Sequence, residues 1–252
     1  MSEKLYIKNI DLEITERCSL KCRHCFNCMQ YYDKPMDIPL ETIQWEMNAL
    51  VSALDGIGEV RILGGEPFMN RELAQIVEFV SELPGQFHKS IIIFTNATIL
   101  PTERQLEVFA ETKSRFYISE YDLGKKQKVA EFCELLKRWG IEYEVHKLPF
   151  WYYPGEISCN HKNTEELKSM YADCWGRDCI TLLNGKLFQC EIMANAHRLK
   201  MIPDFPEDYV DLRQKELLKE RLDFFLRDMK YMKSCQYCNL TYEKVVPGVQ
   251  AE

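Results

Sequence analysis

Short apolar runs alternate along the first 150 residues with longer stretches in which apolar side chains recur every three or four positions. Residues 7–15, 59–63, 89–95, 115–120 and 141–148 have the length and branched or aromatic content of strands. Between them, Ile43, Met47, Leu50 and Leu54 form one helical stripe, and Leu73, Ile76, Val77 and Val80 form another. Asn70 can cap the second helix, and Thr102 with Gln105 makes a capping box for a third. Phe132, Leu135, Leu136 and Trp139 define a fourth. Repeated strand-then-helix units predict an α/β fold: a parallel sheet with helices outside, curved into a partial (β/α)6 barrel of the TIM type.

The pattern changes after residue 149. Residues 151–155 are aromatic and turn-rich, and 180–183 and 186–190 flank Asn184-Gly185, a strong hairpin signal. Residues 212–232 read as a helix with Leu218, Leu222, Phe225 and Met229 on one face. The expected organisation is a barrel domain over 1–149 and a small hairpin-plus-helix domain over 150–252.

Composition and charge narrow the functions. The net charge of -7 gives no basic face for nucleic acid. The N-terminal stretch has no long apolar core, and runs such as Ile91-Ile92-Ile93-Phe94 are too short to span a bilayer, so a cytoplasmic, membrane-free protein is expected. Eleven cysteines without an export signal point to metal ligation rather than disulfides. Most fall in close groups: 18/22/25/28, 174/179/190 and 235/238. Cys133, in a helical pattern beside Phe132 and Leu136, reads as a core thiol.

In parallel α/β folds, active groups gather on loops after the strands. Three suitable segments fall there: Cys18–Cys28 after the first strand, Gly64-Gly65-Glu66-Pro67 after the second and Asn96 after the third. Cys18, Cys22 and Cys25, spaced C-x3-C-x2-C, can hold three irons of a 4Fe–4S cluster and leave the fourth open. Cys22, Cys25 and Cys28 also fit the C-x2-C-x2-C of bacterial ferredoxins, but the Cys-Pro continuation is missing. Zinc is the other metal reading.

The C-x3-C-x2-C loop resembles the signature of the radical S-adenosylmethionine (SAM) superfamily, and Gly64-Gly65-Glu66-Pro67 resembles its "GGEP" segment. The resemblance implies that Gly64, Gly65 and Glu66 bind the SAM amino group. It also implies that Thr95-Asn96 and Ser119-Glu120 sit where relatives contact SAM ribose or carboxylate. SAM chelates the open iron and is reductively cleaved to methionine and a 5′-deoxyadenosyl radical, which takes hydrogen from a substrate. A flavodoxin- or ferredoxin-type protein is the implied reductant. Cys28 is then a spectator beside the cluster.

The C-terminal cysteines resemble the short "twitch" domain of enzymes with one auxiliary 4Fe–4S cluster. Cys190 completes a G-x4-C pattern, and Cys235-x2-Cys238 follows the long helix. The longer two-cluster SPASM domain needs further cysteines that do not occur after Cys238. The first ligand is open: Cys174 has the family-like separation from Cys190, yet a two-residue turn sets Cys179 directly across the hairpin. We take Cys174, with Cys179 as the alternative, and structural zinc as the competing occupant.

Other polar residues have plainer readings. Glu13 points into the barrel, to touch a ligand or to pair with a neighbour such as Arg61. Glu144 and His146 share a face of the fifth strand and are substrate-site candidates. Trp151, Tyr152 and Tyr153 stack on a ring or pack a junction. The expected function is a radical SAM oxidoreductase acting on a small-molecule or sugar-type substrate, resembling dehydrogenases of aminocyclitols. The alternative is a peptide or protein side-chain maturase, although no N-terminal peptide-binding domain is expected before so early a first strand. A non-catalytic iron–sulfur or zinc protein is the third reading.

Overall fold

The computed structural model describes residues 4–84, 90–121 and 126–251. Four strand–helix steps and a fifth strand form its first half: β1 (Tyr6–Glu13), α1 (Leu40–Ala53), β2 (Gly56–Leu63), α2 (Leu73–Glu82), β3 (Ser90–Thr95), α3 (Glu103–Glu111), β4 (Arg115–Glu120), α4 (Lys126–Arg138) and β5 (Tyr143–Lys147). Lys89, expected to open β3, lies outside the described residues. The second half comprises β6 (Trp151–Tyr152), α5 (Thr164–Ala172), β7 (Thr181–Leu183), β8 (Lys186–Phe188), α6 (Glu191–Arg198), β9 (Tyr209–Asp211), α7 (Leu218–Arg227) and β10 (Lys244–Val245).

The main sheet runs β5-β4-β3-β2-β1-β7-β8-β9. The neighbours from β5 to β7 are parallel; β8 and β9 continue antiparallel. The sheet stays open, with β5 and β9 as its edges. The predicted hairpin forms in the expected register, and its first strand lies parallel beside β1 as an extension of the barrel sheet.

Each strand is built as its sequence dictates. In β3, Ile91, Ile93 and Thr95 turn inward while Ile92 and Phe94 stay half-buried on the other face. The inward residues meet the apolar stripes of α1 and α2 in one large core. Phe68, Phe109, Phe116 and Phe132 pack together within it, edge-to-face except for the stacked Phe68–Phe116 pair, with Phe109–Phe116 centroids 5.2 Å apart. Cys133 packs against this core from a half-buried position.

Several element boundaries differ from the sequence reading. The strand expected from Glu59 begins at Gly56, and within it a Cβ on Gly58 would fall 2.2 Å from the Lys8 carbonyl, so Gly58 serves the close approach of β1. The helix expected over 212–232 spans only α7. Leu212 is instead buried against the sheet and donates its N–H to Gly185 O at 2.9 Å, and Leu217 turns left-handed before the helix starts. Asn70 sits before α2 and accepts from Glu72 N (2.8 Å), while its Nδ2 bridges the Ile14 and Ile38 carbonyls. It caps the turn and ties three segments together. The Thr102–Gln105 capping box forms as expected.

Candidate active site

The loop after β1 is held on a polar spine. Thr15 Oγ1 donates to Asp37 Oδ1 (2.6 Å) and accepts from Arg17 N (3.0 Å), and Arg17 Nη1 reaches both Asp37 Oδ2 and Met69 O. The end of β2 then runs along this loop: Gly65 N donates to Thr15 O (2.9 Å) and Glu66 N to Arg17 O (2.8 Å). A Cβ on Gly64 would lie 2.3 Å from Thr15 O, and one on Gly65 would lie 2.1 Å from Arg17 O. Gly64 also adopts φ +137°, so both glycines are required for the cysteine loop to close on the strand end. The Gly64 carbonyl accepts from Asn27 Nδ2 at 2.9 Å.

Glu66 is fully buried and turned away from the cavity. Its Oε1 accepts from Phe68 N and Thr95 Oγ1, and its Oε2 accepts from Asn96 N at 2.9 Å. Burial pushes its carboxyl up to about 7 despite these three donors. Both carboxylate oxygens thus already accept hydrogen bonds from within the protein. The side chain fastens β2 to β3 and sets Asn96, whose amide contacts Ser19 Oγ (3.2 Å) and Cys18 Sγ (3.9 Å).

Cys18, Cys22 and Cys25 line one cavity of about 500 Å³ with Gly64, Gly65, Thr95, Asn96, Ser119 and Tyr121. Burial pushes Cys18 and Cys25 up to about 12, and neighbouring thiols add to it: Cys25 and Cys22 at Cys18, and Cys22 at Cys25. Three adjacent, largely desolvated thiolates are costly alone; a cationic metal centre offsets that cost, so the donor set fits a cluster. Cys28 is turned away and packs with Ile192 and Met193. The C-terminal segment also reaches this loop: Arg23 N donates to Val249 O (2.7 Å), and Gln250 Nε2 approaches Cys22 Sγ at 3.9 Å. Nothing in the periodicity of residues 248–251 signals that strap.

A second group of thiols forms in the other half. Cys190 ends the hairpin and opens α6; Cys235 and Cys238 lie on one tight turn, with Cys238 N donating to Cys235 O at 3.1 Å. Asp208 fixes that turn by accepting from Lys233 N (2.9 Å) and Ser234 N (2.6 Å). Burial, then the neighbouring Cys238 thiol, raises Cys190 well above its usual range. Cys235 is pushed up to about 12 by burial, then by Cys238, with Cys174 also acting on it. Cys174 likewise raises Cys238.

Cys179 goes elsewhere. The hairpin ladder stops at the Thr181–Phe188 pair, and Cys179 N turns back to Gly176 O at 3.0 Å. Its thiol lines the first cavity, where its Sγ and carboxylate oxygens of Asp11 and Glu191 lie within 4.8 Å of one another. Burial pushes Asp11 up to about 6 and Glu191 to about 8, with Arg61 opposing both. The same cavity is walled by Phe94, Tyr117, Phe150, Trp151, Tyr152 and Trp175.

The remaining polar candidates sit in other settings. Arg61 pairs with Asp11 (3.7 Å) and Glu59 (3.3 Å), not with Glu13. Glu13 is buried instead on Asn195, whose Nδ2 donates to its Oε1 at 2.8 Å and whose Oδ1 accepts from Tyr32. Glu144 and His146 bond each other at 3.1 Å on the edge strand, and neither lines the cavity. Among the described residues, no helix is long and apolar enough to cross a membrane.

Comparison with known proteins agrees with this geometry. The radical SAM superfamily description matches residues 12–120. The molybdenum cofactor biosynthesis protein moc-5 of Caenorhabditis elegans is 28% identical over 174 residues, 66% of this chain and 27% of that protein. The GTP 3′,8-cyclase of Clostridium acetobutylicum is 38% identical over 98 residues, 37% of this chain and 30% of that enzyme. The chain thus spans about a third or less of the length of these relatives. In fold, it is similar to BtrN solved with AdoMet and 2-DOIA: TM-score 0.57, 17% identity, covering 96% of this chain and 98% of that one. It is also similar to anSMEcpe solved with AdoMet and a peptide: TM-score 0.59, 12% identity, covering 91% and 88%. The family implies a 4Fe–4S cluster and SAM as cofactors, and the three-thiol loop fits them. Residues 12–120, with the cysteine triad near one end and Ser119 at the other, are the part of the chain that is similar to the radical SAM superfamily.

Proposed function

We propose that this protein is a radical SAM oxidoreductase that abstracts hydrogen from a small-molecule or sugar-type substrate and carries one auxiliary 4Fe–4S cluster. The observation that carries the reading is a single cavity in which the cysteine triad shares the lining with a carboxylate-bearing aromatic chamber of Asp11, Glu191, Phe94, Tyr117 and Trp151. Cys18, Cys22 and Cys25 hold the first cluster; Cys174, Cys190, Cys235 and Cys238 hold the second. Once loaded, the first site with SAM supplies a hydrogen-abstracting radical, and the second supplies an electron acceptor. The polypeptide contributes placement: Asn96 and Ser119 face SAM, Tyr121 and Trp151 wall it in, and the aromatic rings exclude water from the reacting atoms. Flavodoxin or ferredoxin is the proposed reductant.

Cys174 is favoured over Cys179 because its field reaches Cys235 and Cys238, whereas Cys179 stands among cavity acids. A nucleoside triphosphate, the substrate class named in the cyclase relatives, is disfavoured. Among the described cavity-lining residues the cation is Arg61, and Asp11 already faces it.

Iron counting tests the two-cluster reading. Anaerobically reconstituted protein should hold about eight irons per chain, falling to about four in Cys235→Ala, with SAM cleavage retained and substrate oxidation lost. About four irons plus one zinc in the unaltered protein would replace the auxiliary cluster with a structural metal. The peptide-modifying alternative predicts that SAM cleavage is stimulated by peptides and not by sugars or cyclitols.

A further inference from the structure

Three acidic side chains in the cavity converge on one point that the radical chemistry does not use. Asp11 comes from β1, Cys179 from the turn before β7 and Glu191 from the first turn of α6. Asp11 N donates to Ile180 O at 2.7 Å, and Cys179 N donates to Gly176 O at 3.0 Å, so the sheet holds the thiol beside β1. The Cys179 Sγ, one Asp11 oxygen and one Glu191 oxygen lie within 4.8 Å of one another. Bonds of about 2.0 Å to oxygen and 2.3 Å to sulfur set the ligands of a tetrahedral zinc about 3.5 Å apart, so shifts of about an ångström close this set on one ion.

A second observation marks the point as a ligand site. Asp11 is 4% exposed, yet among the described residues its Oδ1 accepts no hydrogen bond. Arg61 Nη1 stops 3.7 Å short of it, while Arg61 Nη2 reaches Glu59 at 3.3 Å. Asn9, with its amide oxygen turned towards Arg61, takes Nη1 at 2.7 Å and Nη2 at 2.8 Å. A buried carboxylate oxygen without a donor is costly, and an ion held between the three side chains removes that cost.

Charge and donor type select the ion. As ligands, Asp11, Cys179 and Glu191 are all anionic. Together with Glu59 they balance a dication and the guanidinium groups of Arg61 and Arg115. Binding displaces the protons that burial keeps on Glu191 and Cys179, as it does for carboxyl and thiol ligands generally. A thiolate disfavours magnesium and calcium, which take oxygen ligands, whereas one sulfur with two carboxylates suits zinc. Three protein ligands are one fewer than a closed structural site uses. The fourth position faces the cavity, because all three side chains line it.

We propose that Asp11, Cys179 and Glu191 bind one zinc ion, separate from both cysteine clusters, whose open position takes an oxygen of the molecule held in the cavity. The ion site stands on these three side chains. Its task, holding a substrate hydroxyl or carboxylate beside the cysteine triad, rests on the proposed function.

To test this, anaerobically reconstituted holoprotein is equilibrated with zinc chloride, freed of loose ions by gel filtration and analysed for metals. The expected result is one zinc per chain whose X-ray absorption spectrum shows one sulfur at about 2.3 Å and oxygens at about 2.0 Å. Asp11→Asn and Cys179→Ala should each weaken its binding by about a hundredfold or more. An unchanged iron count shows that each variant folds and stays loaded.

Zinc binding unaffected by both substitutions would overturn the inference. So would a zinc held by two or more sulfurs, which belongs to the second cysteine group, or one bound through nitrogen and oxygen alone, an adventitious ion only. None of these readings requires SAM cleavage. Zinc at this site without 5′-deoxyadenosine formation keeps the ion and removes the radical reading; 5′-deoxyadenosine formation without the zinc does the reverse.

Discussion

At the residue scale, the most consequential side chains act through contacts that their motif does not reveal. The glycines at 64 and 65 carry the cysteine loop against β2, and a methyl at Gly65 would meet the Arg17 carbonyl at 2.1 Å. Gly65→Ala should therefore displace Cys18, lower the iron content of the first site and cost more than about 2 kcal/mol of stability. Iron analysis alongside thermal melting checks both, and a normally loaded, equally stable variant would show that the loop tolerates the clash. Glu66 is similar. Its carboxylate gathers three donors from the β2 and β3 ends, and Glu66→Gln replaces one acceptor oxygen with an amide donor. An expected loss of about 1–3 kcal/mol follows from stranding a buried donor, with Asn96 loosened and the apparent SAM affinity reduced. The GGEP resemblance located this residue, but only packing revealed that its oxygens are already committed.

At the element scale, most of the parallel half was legible because apolar period sets strand and helix type before any tertiary contact exists. The misreadings share a cause. Gly58 falls outside the strand expected over 59–63 and is drawn into it by the approach of β1, and Leu212 looks helical until the hairpin turn claims its N–H. The same hairpin carries a pH-sensitive tie. Glu46, buried on α1, accepts from Gly185 N, and burial pushes its carboxyl up to about 7. The folded state then binds more protons than the unfolded one between the ordinary value of 4.5 and about 7. Stability is fully present at low pH and is lost as pH rises through that window. Melting temperature should fall from pH 5 to 8, and Glu46→Gln, which keeps an acceptor for Gly185, should remove up to about 3 kcal/mol of that slope. An unchanged slope would remove Glu46 from the account. The C-terminal strap makes a separate prediction. Deleting 248–252 removes the Arg23–Val249 hydrogen bond and the Gln250 amide from Cys22. Chelators should then extract iron from the first site several-fold faster, with little change in melting temperature.

For the whole molecule, sequence spacing predicts two cysteine constellations, and the fold separates a residue that spacing alone leaves ambiguous. Extrapolated hairpin register pairs Cys179 with Cys190, but the ladder ends two residues earlier, and the chain delivers that thiol to the cavity of the first site. Because β7 joins the barrel sheet beside β1, α6 brings Glu191 to Asp11 while the adjacent Cys190 lies with Cys235 and Cys238. Such a juxtaposition depends on strand order, which no local pattern encodes. It also links the chamber directly to the segment proposed to hold the second cluster.

The measurement that bears most directly on the central claim is SAM turnover by the anaerobically reconstituted protein with dithionite. The account predicts that 5′-deoxyadenosine and methionine form, and that Cys22→Ala, which removes one of three thiols from the cavity end, abolishes both products. Undiminished 5′-deoxyadenosine formation by Cys22→Ala, or none from the fully iron-loaded unaltered protein, would contradict it.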